Sequence, residues 1–338
     1  MKLLKTLCAS ALVAIATLSA PTFAAADDIN LKYHAYTGQG PSNLAMRWWM
    51  DEVEKRTEGR VTFTRIFGGP LGKLAAQPEN IKVGAFDLGE FSPIYNPGLF
   101  PLANVTSLPF MSEDPLAHAQ AGHELFQTEA VKAEFTAMNQ KYLFPGLWTT
   151  IQLLSHEPIR TIDDLKAAKI RAHGGAAEIL KELGITVYGI PWGELPAAAE
   201  RRVVTAAIIG SPADAYAFGF GDIFDYWDDE NWFFFPMPIS INLDTWNALS
   251  EDIQAIIEEL NNEMVVKARE LLEVAEAEAH AQLSELTEVV KLDDAEKAKL
   301  LEVRDAAWQN WVEAREAEGL PGQAVLDEFL MLLEKYES

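Results

Sequence analysis

Short alternating runs and helical periods follow one another along most of this chain. Residues 29–35 (INLKYHA) alternate apolar and polar positions and predict a first strand. Residues 43–57 carry Leu44, Met46, Trp48, Trp49 and Val53 on a broad apolar face and predict a helix that ends at Gly59. Residues 61–67 (VTFTRIF) predict a second strand, 78–83 a helix and 86–88 a short buried strand. Residues 90–101 are rich in Pro and Gly and are expected to form a loop, and 115–140 reads as helix-rich. Two strands, 142–147 and 152–155, are expected to flank Trp148-Thr149-Thr150. Thr161-Ile-Asp-Asp164 has capping-box spacing and starts a short helix. A strand over 169–173, a turn at His173-Gly174-Gly175 and a helix over 176–183 capped by Gly184 follow. Then come a strand at 185–188, a helix at 193–201, a buried strand at 203–209 and a helix at 213–218. Residues 222–231 mix acids with Tyr226 and Trp227, and 232–242 ends in a strand.

From Ile239 to Glu318 there is neither Gly nor Pro. Ile253, Ile256, Ile257, Leu260, Met264, Ala268, Leu271 and Leu272 keep a helical period, which predicts one helix over 250–286. A strand at 288–292 and helices at 294–317 and 322–336 are expected after it. The long helix far exceeds the usual roughly 10–14 residues, so it is expected to run past more than one domain. Strands alternating with helices indicate an α/β class. In open α/β sheets ligands sit beyond the carboxyl ends of strands, and Arg171 and Trp148-Thr149 fall near such ends. Arg171 also stands just before the Gly-opened start of a helix. A guanidinium beside free helix N–H groups suits a carboxylate, although a structural salt bridge explains the same residues.

Residues 1–26 have the form of an export signal. Lys2 and Lys5 precede the apolar run 7–18, and Ala24-Ala25-Ala26 offers a cleavage site near Ala26. The apolar run is short for a membrane span. Cys8 is the only cysteine, so the mature chain 27–338 is expected to have no disulfide, thiolate metal site or catalytic thiol. An exported chain of this size without disulfides fits a bacterial periplasm. The net charge is −24, and loss of Lys2 and Lys5 takes it to −26. Such a surface repels nucleic acid and anionic membranes. Over 251–318 there are 19 acids against 7 bases, most simply a solvated face.

No catalytic signature emerges. No serine sits in G-x-S-x-G. The loop 68–73 (GGPLGK) lacks the first Gly and the final Ser/Thr of a phosphate loop. His34, His118, His123, His156, His173 and His280 include no zincin-spaced pair, and the acids at 225–230 lack the pattern of a calcium loop. Trp148, Trp192, Trp227 and Trp232 fall at element ends, where large rings wall small-molecule sites or simply pack.

Taken in order, several blocks are similar to the solute-binding proteins of TRAP (tripartite ATP-independent periplasmic) transporters, of the dicarboxylate-binding, DctP-like type. They are Gly68-Gly-Pro-Leu-Gly-Lys73, Ile81-Lys-Val-Gly-Ala-Phe-Asp87, the run 101–110 (PLANVTSLPF), the run 158–171 (PIRTIDDLKAAKIR), Pro191-Trp-Gly-Glu194 and the run 241–249 (INLDTWNAL). The resemblance implies a two-lobed, type II-like (Venus flytrap) periplasmic binding protein of α/β class, with a hinge and a long helix spanning both lobes. On that basis residues 27–149 plus 236–275 form the first lobe and 150–235 plus 276–338 the second.

The resemblance also implies that Arg171 pairs with a ligand carboxylate as the lobes close, and that TRAP membrane subunits receive the solute. Trp148, Thr149 and Trp192 are expected to wall the site, with Gln152 and Ser211 as polar candidates. Departures from the family pattern lie at Pro196, Arg202, Thr205 and Ile208. Because Ile208 stands where some members place a cation-binding Glu, no metal and no cofactor are expected. One evident ligand Arg favours a monocarboxylate or a zwitterion, and the chain is expected to be a monomer. Alternatives are a receptor of the same shape serving an ABC transporter or a sensor, and, in a different class, an exported enzyme.

Overall fold

Two long antiparallel strands hold the molecule together. The computed structural model describes residues 28–210 and 212–338, so the expected signal segment lies outside the described residues. In chain order the elements begin with β1 (Ile29–His34), α1 (Leu44–Arg56), β2 (Val61–Ile66), α2 (Gln77–Lys82), β3 (Leu88–Glu90), α3 (Pro115–Leu125), α4 (Glu129–Ala137) and β4 (Gln140–Ser155). Next come α5 (Ile162–Ala167), β5 (Ile170–Arg171), α6 (Gly174–Glu182), β6 (Val187–Tyr188), α7 (Leu195–Glu200), β7 (Ala206–Ile209), α8 (Pro212–Ala217) and β8 (Tyr226–Asn242). The chain ends with α9 (Leu243–Ala248), α10 (Glu251–Leu286), β9 (Glu288–Val290), α11 (Asp294–Ala317) and α12 (Gly322–Glu337).

The strands form one mixed sheet in the order β2-β1-β3-β8-β4-β7-β5-β6, with β9 on β8. β4 and β8 pair antiparallel from Gln140↔Asn242 to Ser155↔Tyr226, so they pass through the whole molecule. The sequence pattern divides β4 at Trp148–Thr150, yet the strand is continuous. Nearly every β4 residue is buried, so the alternation that marks a one-sided strand is missing. Pro145 lies opposite Pro238 and Trp148 opposite Pro236, with register shifts on both sides of Pro145. Prolines cannot donate to the ladder and are tolerated at such irregularities. They fall where the two strands leave one lobe for the other. β3 lies two residues later than expected, and α9 is an addition.

Apolar side chains gather in two groups on each side of this crossing. In one lobe, Trp49, Leu88, Phe144 and Ile241 pack under α1, while Phe91, Phe100, Phe135 and Trp148 pack under α3, α4 and α12. In the other, Ile170, Ile179 and Trp232 form one cluster and Ile209, Phe220 and Trp227 another. Helix α10, at 1.5 Å per residue about 54 Å long, joins them. Its Ile253, Ile257, Leu260 and Met264 enter the first lobe, and Leu283 enters the second. The long helix therefore spans both lobes as the Gly- and Pro-free run requires. Helix α11 also crosses, with Leu300 in the second lobe and Val312 in the first. The expected division put 276–338 in the second lobe, but α12 sets Leu326, Phe329 and Leu333 into the first-lobe cluster.

The 158–171 segment folds as its residues dictate. Thr161 Oγ1 accepts from the Asp164 amide at 3.1 Å, and Asp164 Oδ2 accepts from the Thr161 amide at 2.9 Å. This reciprocal cap starts α5. Gly184, at φ +72°, closes α6 in the left-handed region.

Candidate functional site

Arg171 ends the two-residue strand β5, whose neighbours β6 and β7 run parallel to it. The chain then turns into α6, whose N-cap His173 supplies no side-chain cap. Arg171 is 4% exposed. Its Nε donates to the Ile190 carbonyl at 3.1 Å and its Nη1 to the Ile208 carbonyl at 2.9 Å. Two backbone acceptors thus fix the guanidinium plane, and no carboxylate among the described residues forms an ion pair with it. Burial pushes its pKa below the usual value, opposed by the neighbouring Tyr95 hydroxyl. An Arg stays charged even so. Trp192 lies over it, with its ring centre 5.9 Å from Cζ, within cation–π range.

Arg171 faces a cavity of about 280 Å³ between the lobes. Tyr36, Thr37 and Ser42 line it from the first lobe, and Pro191, Trp192 and Asp214 from the second. Strands β4 and β8 form the floor, with Leu147, Thr149 and Ile151 from one and Phe233, Phe235 and Met237 from the other. Apolar groups dominate the lining, and a few polar groups converge on it, as in small-molecule sites generally. Lys73 also lines it but is exposed, so its charge is solvated.

The floor corrects part of the sequence-based site. Successive strand residues point to opposite faces. Because Leu147, Thr149 and Ile151 face the cavity, Trp148 and Gln152 face away. Trp148 Nε1 donates to His118 Nδ1 at 2.8 Å inside the first lobe. Its ring fills the space over Gly122, where a Cβ would come within 2.4 Å. Gln152 accepts from Trp227 Nε1 at 3.0 Å in the second lobe. Both are packing residues. Arg171, Thr149 and Trp192 do converge on the cavity, and Ser211 lies outside the described residues. Thr149 Oγ1 donates to Glu276 Oε1 at 2.9 Å, and Arg269 Nη2 donates to Glu276 Oε2 at 2.7 Å.

Sequence reasoning missed Ser42, Tyr95 and Asp214. Tyr95 comes from the Pro- and Gly-rich stretch read as a loop, where a short 3₁₀ turn carries it. Its ring lies 5.6 Å from His173 and 6.1 Å from Phe235. Burial pushes the His173 pKa down to about 4, with Arg171 adding to the effect, so this imidazole is neutral. Ser42 Oγ donates to Asp214 Oδ1 at 2.6 Å and bridges the lobes. Burial pushes the Asp214 carboxyl up to about 6, Ser42 opposes this and Glu276 adds to it. Glu90, buried behind Thr37, is pushed up to about 7 by burial. The cavity so presents one buried cation at one wall and a carboxylate at another. Among the described residues, no nucleophile–base–orienter set lines it.

The profile of the bacterial extracellular solute-binding proteins, family 7 (DctP), matches residues 34–315. The chain belongs to this family. Members of family 7 are solute-binding receptors that work outside the cytoplasm. A monocarboxylate 2-oxoacid-binding periplasmic protein of Nostoc sp. is 28% identical over 232 residues, which cover 65% of this chain and 62% of that protein. The match spans less than two thirds of that relative. A TRAP periplasmic solute-binding protein from Desulfovibrio salexigens superposes with a TM-score of 0.80 at 28% identity, covering 92% of this chain and 97% of that one. A TRAP solute-binding protein from Rhodoferax ferrireducens, solved with copurified benzoate, shares the fold at 22% identity and a TM-score of 0.82, over 91% of this chain and 98% of that one. The two-lobed α/β architecture read from the sequence is the architecture of family 7.

Proposed function

We propose that this family 7 chain is the periplasmic receptor of a TRAP transporter, capturing a small organic carboxylate and presenting it to the membrane subunits. The observation that carries the reading is Arg171. It is buried, its plane is fixed by two backbone carbonyls, and it opens on an apolar cavity between two lobes. An unpaired buried charge is costly, and a ligand carboxylate satisfies it. Among the described residues Arg171 is the single buried cation of the lining, which favours one carboxylate over two. The ligand touches both lobes at once, so it favours the closed arrangement by differential contact. β4, β8 and α10 are the continuous elements about which the lobes move, with α12 assigned to the first lobe.

On this reading the protein acts as a monomer, performs no reaction and uses neither metal nor cofactor. Some relatives' names support the ligand class, since the Nostoc protein is named for monocarboxylate 2-oxoacids. The position that bears a cation-binding Glu in some members is Ile208 here, and it lines the cavity.

The test is calorimetric titration of monocarboxylates, dicarboxylates and zwitterions into wild type and Arg171→Met. Losing a charge-assisted contact weakens binding about 10- to 100-fold. Equal affinity in both proteins removes Arg171 from the role. Recovery of the solute unchanged after incubation separates a receptor from an exported enzyme.

A further inference from the structure

Arg171 belongs to the second lobe, and a phenol meets it from the first. Tyr95 sits on the 3₁₀ turn Pro93–Tyr95. Asn104 Nδ2 ties this turn to the first lobe, donating to the Pro93 carbonyl at 3.0 Å and to the Phe100 carbonyl at 2.9 Å. Phe100, Ala103 and Val105 are buried in a first-lobe cluster. The turn then reaches across to the second lobe. Ile94 packs on the cluster that holds Ile170, and the Tyr95 ring lies 5.6 Å from His173. Tyr95 is half-buried and lines the same cavity as Arg171.

The two polar ends meet in that space. Nε and Nη1 of Arg171 are taken by backbone carbonyls, whereas Nη2 has no backbone acceptor. The Tyr95 hydroxyl interacts with the guanidinium. A guanidinium only donates, so the phenol oxygen meets it as an acceptor and the phenol proton is left over. Among the described residues no carbonyl or carboxylate takes that proton. Neither the Tyr95 oxygen nor Arg171 Nη2 is a sealed, unpartnered atom, so both reach solvent. Burial pushes the Tyr95 pKa up, Arg171 opposes this and Tyr36 adds to it, so the phenol keeps its proton at neutral pH.

We propose that Tyr95 is the first-lobe half of the carboxylate grip: its hydroxyl donates to the ligand carboxylate that Arg171 holds from the second lobe. The inference rests on Arg171 taking the carboxylate. A carboxylate offers two oxygens and about four acceptor sites, so one group accepts from Arg171 Nη2 and from the Tyr95 hydroxyl together. The two donors come from different lobes. The carboxylate itself therefore ties the lobes, and the Tyr95 contact forms as they close.

The test titrates benzoate, phenylacetate, hexanoate and 4-methyl-2-oxopentanoate at pH 7 and carries the tightest binder into the variants. Tyr95→Phe keeps the ring and removes the hydroxyl. It should weaken binding about tenfold or more, as for a lost hydrogen bond to a charged group. Stopped-flow tryptophan fluorescence should place that loss in faster dissociation, where interface contacts generally act. Replacing Tyr95 by 3-fluorotyrosine separates donor from acceptor, because fluorine makes the phenol a stronger donor and a weaker acceptor. A hydroxyl that donates to the carboxylate gives tighter binding when fluorinated. One that only orients Arg171 by accepting from it gives weaker binding.

Wild-type affinity in Tyr95→Phe, with Arg171→Met still weakened, overturns this inference alone. Unchanged or weaker binding by the fluorinated protein overturns it too. If none of the four acids binds, or Arg171→Met binds as tightly as wild type, the carboxylate reading fails and this inference falls with it. The fluorinated protein keeps both ring and hydroxyl, so it guards against misfolding of the Phe variant.

Discussion

Replacing Asp214 with Asn should make the ligand-free receptor more stable at pH 8. The carboxyl of Asp214 is buried between the lobes, and its pKa stands at about 6 against an ordinary 3.8. Raising a pKa by one costs the ionised form about 1.4 kcal/mol, so a rise of this size is a penalty of about 3 kcal/mol. The folded pKa is above the unfolded one. The native chain therefore holds the proton more tightly, and the stabilisation is complete below about pH 3.8 and lost as pH rises through about 6. Asn never ionises and so escapes that loss, while its amide oxygen still accepts from Ser42. Glu90 and Glu276 face the same region and Arg171 lies across the cavity, and none of them is altered by the substitution. Removing one negative charge also relieves Glu90, which the Asp214 charge pushes upward. Urea unfolding followed by tryptophan fluorescence at pH 8, 6 and 4.5, extrapolated linearly, should show a gain of up to about 3 kcal/mol at pH 8. The gain should shrink steadily toward pH 4.5. A variant no more stable than wild type at pH 8, or a difference that is the same at every pH, refutes the reasoning. A site residue that costs stability when the cavity is empty fits a role in binding, since function and stability commonly trade off.

Trp148→Ala should cost about 3–5 kcal/mol of stability, as for large rings deleted from cores, yet leave solute affinity within twofold in titrations of the folded protein. A large loss of affinity there would put Trp148 in the site after all. Trp192→Ala removes the ring over Arg171 and should weaken binding about 5- to 30-fold, corresponding to roughly 1–2 kcal/mol of cation–π and wall contact. Its melting temperature should move little, because Trp192 packs only at the edge of its cluster. A collapse in melting temperature without a change in affinity would reverse that assignment.

Different parts of the structure were legible for different reasons. The Gly- and Pro-free helical period made α10 readable, and the Thr161–Asp164 cap made α5 readable, because both signals are local. Arg171 was readable as a strand-end cation just before a helix start. β4 was misdivided at Trp148–Thr150 because both its faces are buried, so no one-sided alternation carries the strand across those residues. That error also placed Trp148 and Gln152 beside Thr149, although a continuous strand puts them on the opposite face. The Ser42–Asp214 bridge joins residues 172 positions apart, and no local pattern carries such a pairing. Tyr95 was hidden for a related reason, since a Pro-rich loop gives no period from which to read a direction.

A crystal structure with the tightest-binding acid tests the central claim most directly. A carboxylate oxygen should lie about 2.7–2.9 Å from a guanidinium nitrogen of Arg171, the spacing of a charge-assisted hydrogen bond, with Trp192 and Tyr95 against the bound acid. A carboxylate held instead by Lys73 at the rim, with Arg171 still bonded to the Ile190 and Ile208 carbonyls and to no ligand atom, would contradict the account.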